Sequence, residues 1–323
     1  MAFFMAKPRT ENIDQPVLAL SGVSVQFLNH GKALHVVRDM GFRIDRGSRT
    51  VILGETGCGK SVMAMALFRL LPANAIVSGN VFLNGDTDVF SLTHGELREM
   101  RGGEMVLVPQ NPMSHLNPVF SVGFHIKETL RRVNGLPKKR MGERSLELLE
   151  QVGFAEPPVV AALYPHQLSG GMAQRVMLAM SMAGLPSLVV ADEPTRGLDA
   201  QSRDHYLALS RELYRDCAFL MITHDLAAAR TCERVIIMYA GRIVEEGPVE
   251  KVLGQPGHPY TRGLIAAHPD NGFTTIPGMP PELTDEEHGC AFEPRCTGSS
   301  RSCCDPPPMK YLSGRHRVRC CHA

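Results

Sequence analysis

The sequence has almost no net charge: 34 Lys and Arg stand against 33 Asp and Glu, a formal charge of +1. That balance argues against a nucleic-acid binder working by bulk positive charge. Long hydrophobic runs are missing as well. The longest apolar stretches, Cys217–Thr223 and Val235–Ala240, are strand-length, far short of the ~18 apolar residues of a membrane span. Met1–Ala6 is too short for the hydrophobic part of a secretory signal and lacks a basic lead-in. There is no internal repeat and no low-complexity tract. The expectation is a soluble, cytoplasmic chain able to dock on a membrane protein. What is present is globular in character, with 44% hydrophobic and 21% charged residues. At about 100–200 residues per domain, 323 residues fit one large domain with an appendage, or two small ones. Nine cysteines are unevenly spread, six of them between Cys290 and Cys321, and such a cluster asks for its own explanation.

Short apolar stretches at Val17–Ser21, Val23–Phe27 and Val36–Ile44 predict strands, broken by polar turns. Thr50–Leu53 is a buried strand running into a glycine-rich segment. Helical spacing follows over Ser61–Leu71, ahead of Pro72. Gly79–Leu83 is a further strand, and residues 111–183 are mostly helical, most clearly at Ser145–Val152 and Met172–Ala183. Leu188–Ala191 and Phe219–Ile222 are buried strands around a helix at Ala200–Leu213, and Val235–Tyr239 and Arg242–Glu245 form a hairpin through Ala240-Gly241. From about residue 254 Pro, Gly and Cys dominate, which sets a boundary there.

Gly54-Glu55-Thr56-Gly57-Cys58-Gly59-Lys60-Ser61 fits the phosphate-loop pattern G-x-x-x-x-G-K-[ST] between a strand and a helix. Glycines let backbone N–H groups converge on phosphate oxygens, and the helix presents its positive end to the anion. Lys60 would reach the β- and γ-phosphates, and the Ser61 hydroxyl would ligate Mg²⁺. Cys58 is either a small filler of the loop or a thiol activated by Lys60 and the helix end. Leu188–Glu193 is an apolar strand delivering two carboxylates at its C-terminal end, where open α/β sheets bind ligands. Asp192 suits Mg²⁺, and Glu193 the attacking water.

Leu168-Ser169-Gly170-Gly171-Met172 opens a helix 20 residues before this acidic pair, a second anion-binding helix terminus. It resembles the signature motif of ABC-type ATPases, with Met172 where Gln is usual. The rest of that family's set follows in order. Gln110 looks like the Q-loop residue, linking metal and attacking water to the helical subdomain. Gly197-Leu198-Asp199 looks like the D-loop and His224 like the switch histidine that meets the γ-phosphate. Phe27 looks like the aromatic that stacks on adenine, with a core strand Phe as the alternative. The resemblance covers roughly residues 17–250. It implies an α/β fold, a RecA-like core with an antiparallel β subdomain and an inserted helical subdomain at about 111–183. It also implies a dimer, because one subunit's phosphate loop and the other's signature sandwich each ATP.

Three stretches are similar to the ATP-binding subunits of oligopeptide/dipeptide/nickel importers: Pro109–Pro118, Tyr164–Met177, and Gly257–Leu264 followed by Gly289–Cys296. Met172 matches the partner class whose signature ends in Met. Thr195-Arg196-Gly197-Leu198-Asp199 departs from the family's more usual Thr-Ala-Leu-Asp, which leaves the finer substrate assignment open. The resemblance implies ATP and Mg²⁺ (through Ser61, Gln110 and Asp192), a second ABC ATPase as homo- or heterodimer partner, two membrane permeases and an extracytoplasmic substrate-binding protein. It places the chain peripherally on the cytoplasmic face of the inner membrane, with no nucleic acid. In the Cys/Pro-rich extension, residues 255–323, the thiols Cys290, Cys296, Cys303 and Cys320 admit three readings. Zinc prefers closer Cys pairs. Free structural thiols suit a reducing compartment. A [4Fe–4S] cluster tolerates varied spacings and is expected in some relatives of the resembled subfamily.

The expectation is therefore an ATPase domain over 17–254 powering import of peptides, or of nickel or a metallophore. A soluble ABC ATPase of DNA repair or translation is the alternative. Against it stand the mere ~130 residues between Lys60 and Asp192, without heptads, and the single motif set. A protein that holds ATP without turnover is disfavoured by the intact Glu193 and His224.

Overall fold

The computed structural model describes residues 15–29, 32–134, 136–283 and 289–323. Two sheets organise the chain. Strands β1 (Leu18–Asn29), β2 (Lys32–Met40) and β3 (Arg43–Ile44) build an antiparallel layer, joined past β4 (Arg49–Leu53) by β5 (Ala75–Leu83) and β6 (Thr87–Asp88) in the order β2-β1-β5-β6, with β3 on β1. The two strands expected at Val17–Ser21 and Val23–Phe27 are one. The register with β5 shifts between Ser21 and Ser24, so a bulge at Gly22 absorbs the break in alternation and pairing continues.

The larger sheet contains β4, β7 (Met105–Val108), β8 (Leu188–Asp192), β9 (Ala218–Ile222), β10 (Arg234–Tyr239), β11 (Arg242–Pro248), β12 (Lys310–Ser313) and β13 (His316–Val318), in the order β12-β13-β11-β10-β4-β9-β8-β7. From β10 to β7 neighbouring strands are parallel. Such strands are covered on both faces, and β4 and β9 are buried at every position. Side-chain alternation splits them between two cores. Val51, Leu53, Val189, Phe219 and Met221 face one cluster, whereas Ile52, Leu188, Val190, Leu220 and Ile222 face the other with the antiparallel layer.

Helix α1 (Lys60–Leu67) follows the glycine-rich loop and α2 (His94–Met100) opens on a Thr93/Glu96 capping box. The helical region comprises α3 (Pro112–His115), α4 (Val122–Asn134), α5 (Lys138–Gln151), α6 (Pro157–Ala162) and α7 (Gly170–Ser181). Val122, Ile126 and Leu130 repeat every fourth residue and are fully buried, as are Leu148, Leu149 and Val152, so each helix turns one stripe inward. Helix α7 packs on α3, α4, α5, β7 and α8 (Ala200–Leu213), whereas α1 packs on β1, β2 and β8. Short α9 (Leu226–Ala229) follows β9. The β10–β11 hairpin turns at Ala240-Gly241, both left-handed, as a primed turn requires.

Beyond α10 (Val249–Gly254) comes α11 (Pro259–Ala266), and then β12 and β13, which extend the main sheet through β11. The cysteine-bearing extension is thus hydrogen-bonded into the core sheet. Glu245 on β11 is fully buried, accepting from the backbone N–H of Gly257 at 2.6 Å and of His258 at 3.0 Å, with His316 Nε2 at 2.6 Å. Its neighbour Glu246 is gripped by Arg234 and Arg317.

Candidate functional site

The loop after β4 is shaped by contacts that forbid side chains. Gly59 caps α1 at φ +103°, and a Cβ there would strike the Val36 carbonyl; one on Gly54 would strike that of Met238. Thr56 and Gly57 are exposed at the loop's crest, and α1 has no acid in its first turn to compete for its free amides. Lys60 is buried to 8% exposure, its Nζ donating to Gly54 O at 2.7 Å and Glu55 O at 2.9 Å. The ammonium therefore ties the loop to itself. Cys58 lies buried beside it, and burial raises its thiol pKa against the opposing pull of Lys60. That favours the filler over an activated nucleophile.

Strand β8 brings the acids to this loop. Burial raises the Asp192 carboxyl above its usual range, while the Ser61 hydroxyl, which hydrogen-bonds it, pulls the other way. Asp192 Oδ1 is buried with no hydrogen-bond partner. A buried, unsatisfied carboxylate oxygen beside a hydroxyl and a lysine fits a divalent cation. Gln110 lies two residues past β7, the strand beside β8, and is half-buried. Glu193 is buried and left-handed at φ +46°, a strained backbone of the kind that gathers at functional sites. Its Oε1 is 2.9 Å from His224 Nδ1 and its Oε2 accepts from Thr223 Oγ1 at 3.3 Å. The His224 side chain is 60% exposed, so the pair joins a sheltered carboxylate to an open imidazole. Thr223 is a partner the sequence did not reveal, because only the β8–β9 register brings it there.

Ser169 caps α7, accepting from Met172 N at 3.3 Å, and Asp199 caps α8 through Ser202 N at 2.9 Å. Ser169, Gly170, Gly171 and Gly197–Asp199 line one cleft of ≈ 450 Å³. No residue of the phosphate loop lines that cleft. Phe27 is half-buried against the second core, paired with Leu34 and Ala75.

In the extension, Cys290 N donates to Cys303 O at 2.8 Å, and Cys303 Sγ is 3.5 Å from His322 Nε2. Burial pushes the Cys290 thiol up to about 11, with Cys303, Cys320 and Cys321 adding to the rise. Cys321 Sγ donates to Ser302 O at 2.9 Å. Among the described residues no three His, Cys, Asp or Glu side chains are placed to hold a metal ion. The thiols of Cys290, Cys296, Cys303 and Cys320, candidates for a [4Fe–4S] cluster, therefore do not form a ready donor shell.

A phosphate loop, a strand-end acid pair, a Ser-Gly-Gly helix cap and a histidine on the acid define a nucleoside triphosphatase of ABC architecture. Sequence comparison agrees. The profile of the ABC transporter family matches residues 37–196, and that of the oligopeptide/dipeptide transporter C-terminal region matches 244–303. A Brucella abortus protein provisionally named a peptide import ATP-binding protein is 38% identical over 314 residues, covering 94% of each chain. One of the same name from Brucella melitensis is 36% identical over 327 residues, 95% of this chain and 97% of its own. The chain belongs to the ABC transporter family and is an ATPase of that family. A dimeric ATP-binding cassette solved in a post-hydrolysis state with ADP and Pi aligns at TM-score 0.63 and 25% identity, over 72% of this chain and 98% of its own. The fold also matches CbiO1 of Clostridium perfringens, part of an ABC transporter complex, at TM-score 0.61 and 24% identity, over 75% of this chain and 92% of its own.

Proposed function

We propose that this chain is the ATP-hydrolysing subunit of an importer for peptides, working as one half of a cassette dimer. The observation that carries the reading is the arrangement of Asp192 and Glu193 between Ser61 and His224, with one Asp192 oxygen unsatisfied. In it Lys60, the amides of the loop 54–61 other than that of Glu55, and the free end of α1 bind the phosphates, and Phe27 stacks on the adenine. Ser61, Asp192 and Gln110 hold Mg²⁺, whose bound charge neutralises phosphate oxygens. Glu193 accepts the proton of the attacking water, while Thr223 and His224 fix its two oxygens, His224 also facing the γ-phosphate.

Ser169, Gly170, Gly171 and Asp199 line a cleft without phosphate-loop residues, and in this reading they serve the nucleotide of the partner subunit, identical or related. Binding then joins two cassettes and hydrolysis releases them. The helical region 111–183 receives two membrane permeases, and an extracytoplasmic binding protein supplies cargo. Among the described residues no helix is long and apolar enough to cross a membrane. In this reading, association with the cytoplasmic face of the inner membrane runs through the permeases. The ATPase unit is 17–254, with 255–323 as its extension. The oligopeptide/dipeptide-type C-terminal match and the relatives named for peptide import support transport over a repair or translation ATPase. Glu193→Gln is expected to keep ATP binding, accumulate as an ATP-bound dimer on size exclusion and lose phosphate release at least ~100-fold. Turnover at the parental rate would remove Glu193 from its role.

A further inference from the structure

Glu55, the first variable residue of the phosphate loop, has each of its polar groups occupied. Its carbonyl accepts from Lys60 Nζ at 2.9 Å. Its N–H donates to the Tyr260 hydroxyl at 2.8 Å, and Tyr260, on α11, is fully buried. Its carboxylate receives a bidentate pair from Arg295, Nη1 to Oε2 at 2.9 Å and Nη2 to Oε1 at 3.1 Å. Arg295 is itself fixed, donating through Nε to Pro277 O at 2.9 Å and through Nη1 to the Tyr239 hydroxyl at 3.3 Å. Its side chain is 5% exposed, so the guanidinium sits in a closed socket beneath the loop. Tyr239, Tyr260 and Phe292 wall that socket, with ring centroids 4.5 Å apart for the two tyrosines and 5.3 Å for Tyr239 and Phe292.

Tyr260 and Arg295 both come from the chain beyond residue 254, and Arg295 lies 240 residues from Glu55. A phosphate loop binds a polyanion, and a carboxylate within it raises the local negative potential. A planar, always-charged guanidinium that meets that carboxylate with two bonds cancels the potential and fixes the side chain at once. The tyrosine hydroxyl fixes the backbone of the same residue, whose carbonyl holds Lys60.

Resting on the ATP-site reading above, we propose that Arg295 and Tyr260 are positioning residues for the phosphate loop. Through them the C-terminal region sets the nucleotide affinity of the cassette, by holding Glu55 and neutralising its charge beside Lys60. The region thereby acts on the reaction without touching the nucleotide.

The test is a charge cycle on the full-length chain, read as Kd for AMP-PNP with Mg²⁺ and as KM against kcat for ATP. Arg295→Gln keeps most of the side-chain volume and removes the charge. It is expected to raise Kd and KM about tenfold while kcat at saturating ATP moves less than about twofold. Tyr260→Phe removes one hydroxyl and is expected to raise Kd about threefold. Adding Glu55→Gln to Arg295→Gln removes the uncompensated carboxylate, and the double variant should recover to within about threefold of the parent. A merely structural docking role would not be rescued by deleting the second charge. Parental Kd in both Arg295→Gln and Tyr260→Phe overturns the proposal, as does a loss in Arg295→Gln that the double variant does not recover. Should Arg295→Gln fail to fold, Arg295→Lys and Tyr260→Phe decide: parental Kd in Tyr260→Phe, or a Kd for Arg295→Lys raised more than about tenfold, rejects the clamp. Lys60→Ala is the control. No binding by the parent chain overturns the ATP-site reading and the clamp with it, whereas binding lost in Lys60→Ala but unaltered by the other variants overturns the clamp alone.

Discussion

At the scale of single residues, the site stores two kinds of cost. Asp192 has lost water and has one unpartnered oxygen, which favours its protonated form and disfavours the empty site. Asp192→Asn removes that buried charge. The apo chain is expected to unfold at no lower temperature than the parent, while the rise in Tm on adding Mg²⁺ and ATP disappears. Differential scanning calorimetry with and without Mg²⁺-ATP checks both. A lower apo Tm with an intact ligand-induced rise would contradict the site assignment. The second cost is backbone. Gly59 at φ +103° lies against the Val36 carbonyl, so Gly59→Ala should destabilise the fold by about 1–3 kcal/mol and weaken nucleotide binding together, measured by urea unfolding and titration. The loop residues Gly54–Ser61 and the Asp192-Glu193 pair were legible because each motif is local, and strand and helix periods set their frame. Thr223, Tyr260 and Arg295 were not. Their roles depend on which distant segment arrives at Glu193 and Glu55, and nothing in their local composition marks them.

At the scale of elements, α11 carries the extension onto the loop, and its start depends on one imidazole. His258 is buried; its Nδ1 accepts from Tyr260 N at 3.0 Å as the helix cap, and it also bonds the Arg319 backbone. Burial, aided by Arg262, pushes its pKa down to about 4 from 6.5. Between those values the unfolded chain binds a proton that the folded chain refuses. Stability is therefore full above about pH 6.5 and falls as pH drops toward 4, and a protonated Nδ1 no longer caps the helix. Urea unfolding from pH 7.5 to 4.5 should show a loss of about 2–3 kcal/mol from this group. His258→Asn, which keeps a capping oxygen, should flatten that part of the profile. An unaltered slope in the variant would place the pH dependence elsewhere. Elements were legible where a period was clean. Leu188–Ala191, Phe219–Ile222 and Ala200–Leu213 read directly, and the structure has strands or a helix there. Helix α1 ends at Leu67, earlier than the Leu71 expected from spacing, since Arg69 turns left-handed before Pro72. β1 runs unbroken because a bulge at Gly22 restores its register, a device with no hydrophobic signature.

At the scale of the whole molecule, the chain past residue 254 covers the β11 edge of the sheet and neutralises its acids. Ending the chain at Gly254 would remove Arg317 from Glu246 and would strip His316 and the Gly257 and His258 amides from fully buried Glu245. Losing these charge-assisted hydrogen bonds and the cover over β11 lowers stability, and the uncovered strand edge favours aggregation. The shortened chain is expected to unfold at least about 5 °C lower, or to precipitate, read by thermal unfolding. Equal stability would mean that the extension is only appended. The change of composition near 254 was legible; the continuity of the sheet across it was not, because β12 and β13 are short and β12 is exposed at every position.

By itself the sequence carried the patterns behind the proposed chemistry: the glycine-rich loop 54–61, the strand-end acids Asp192 and Glu193, the Ser169-Gly170-Gly171 helix start and His224, each a short pattern whose physics is complete within a few residues. It also determined the α/β class, since buried parallel strands are written as continuous apolar runs. Only the tertiary structure decided that His224 rests on Glu193, that Ser169–Gly171 and Asp199 share a cleft the phosphate loop does not line, and that Arg295 reaches back to Glu55. Those relations come from strand order and packing over separations of 31 to 240 residues, where local spacing carries no information.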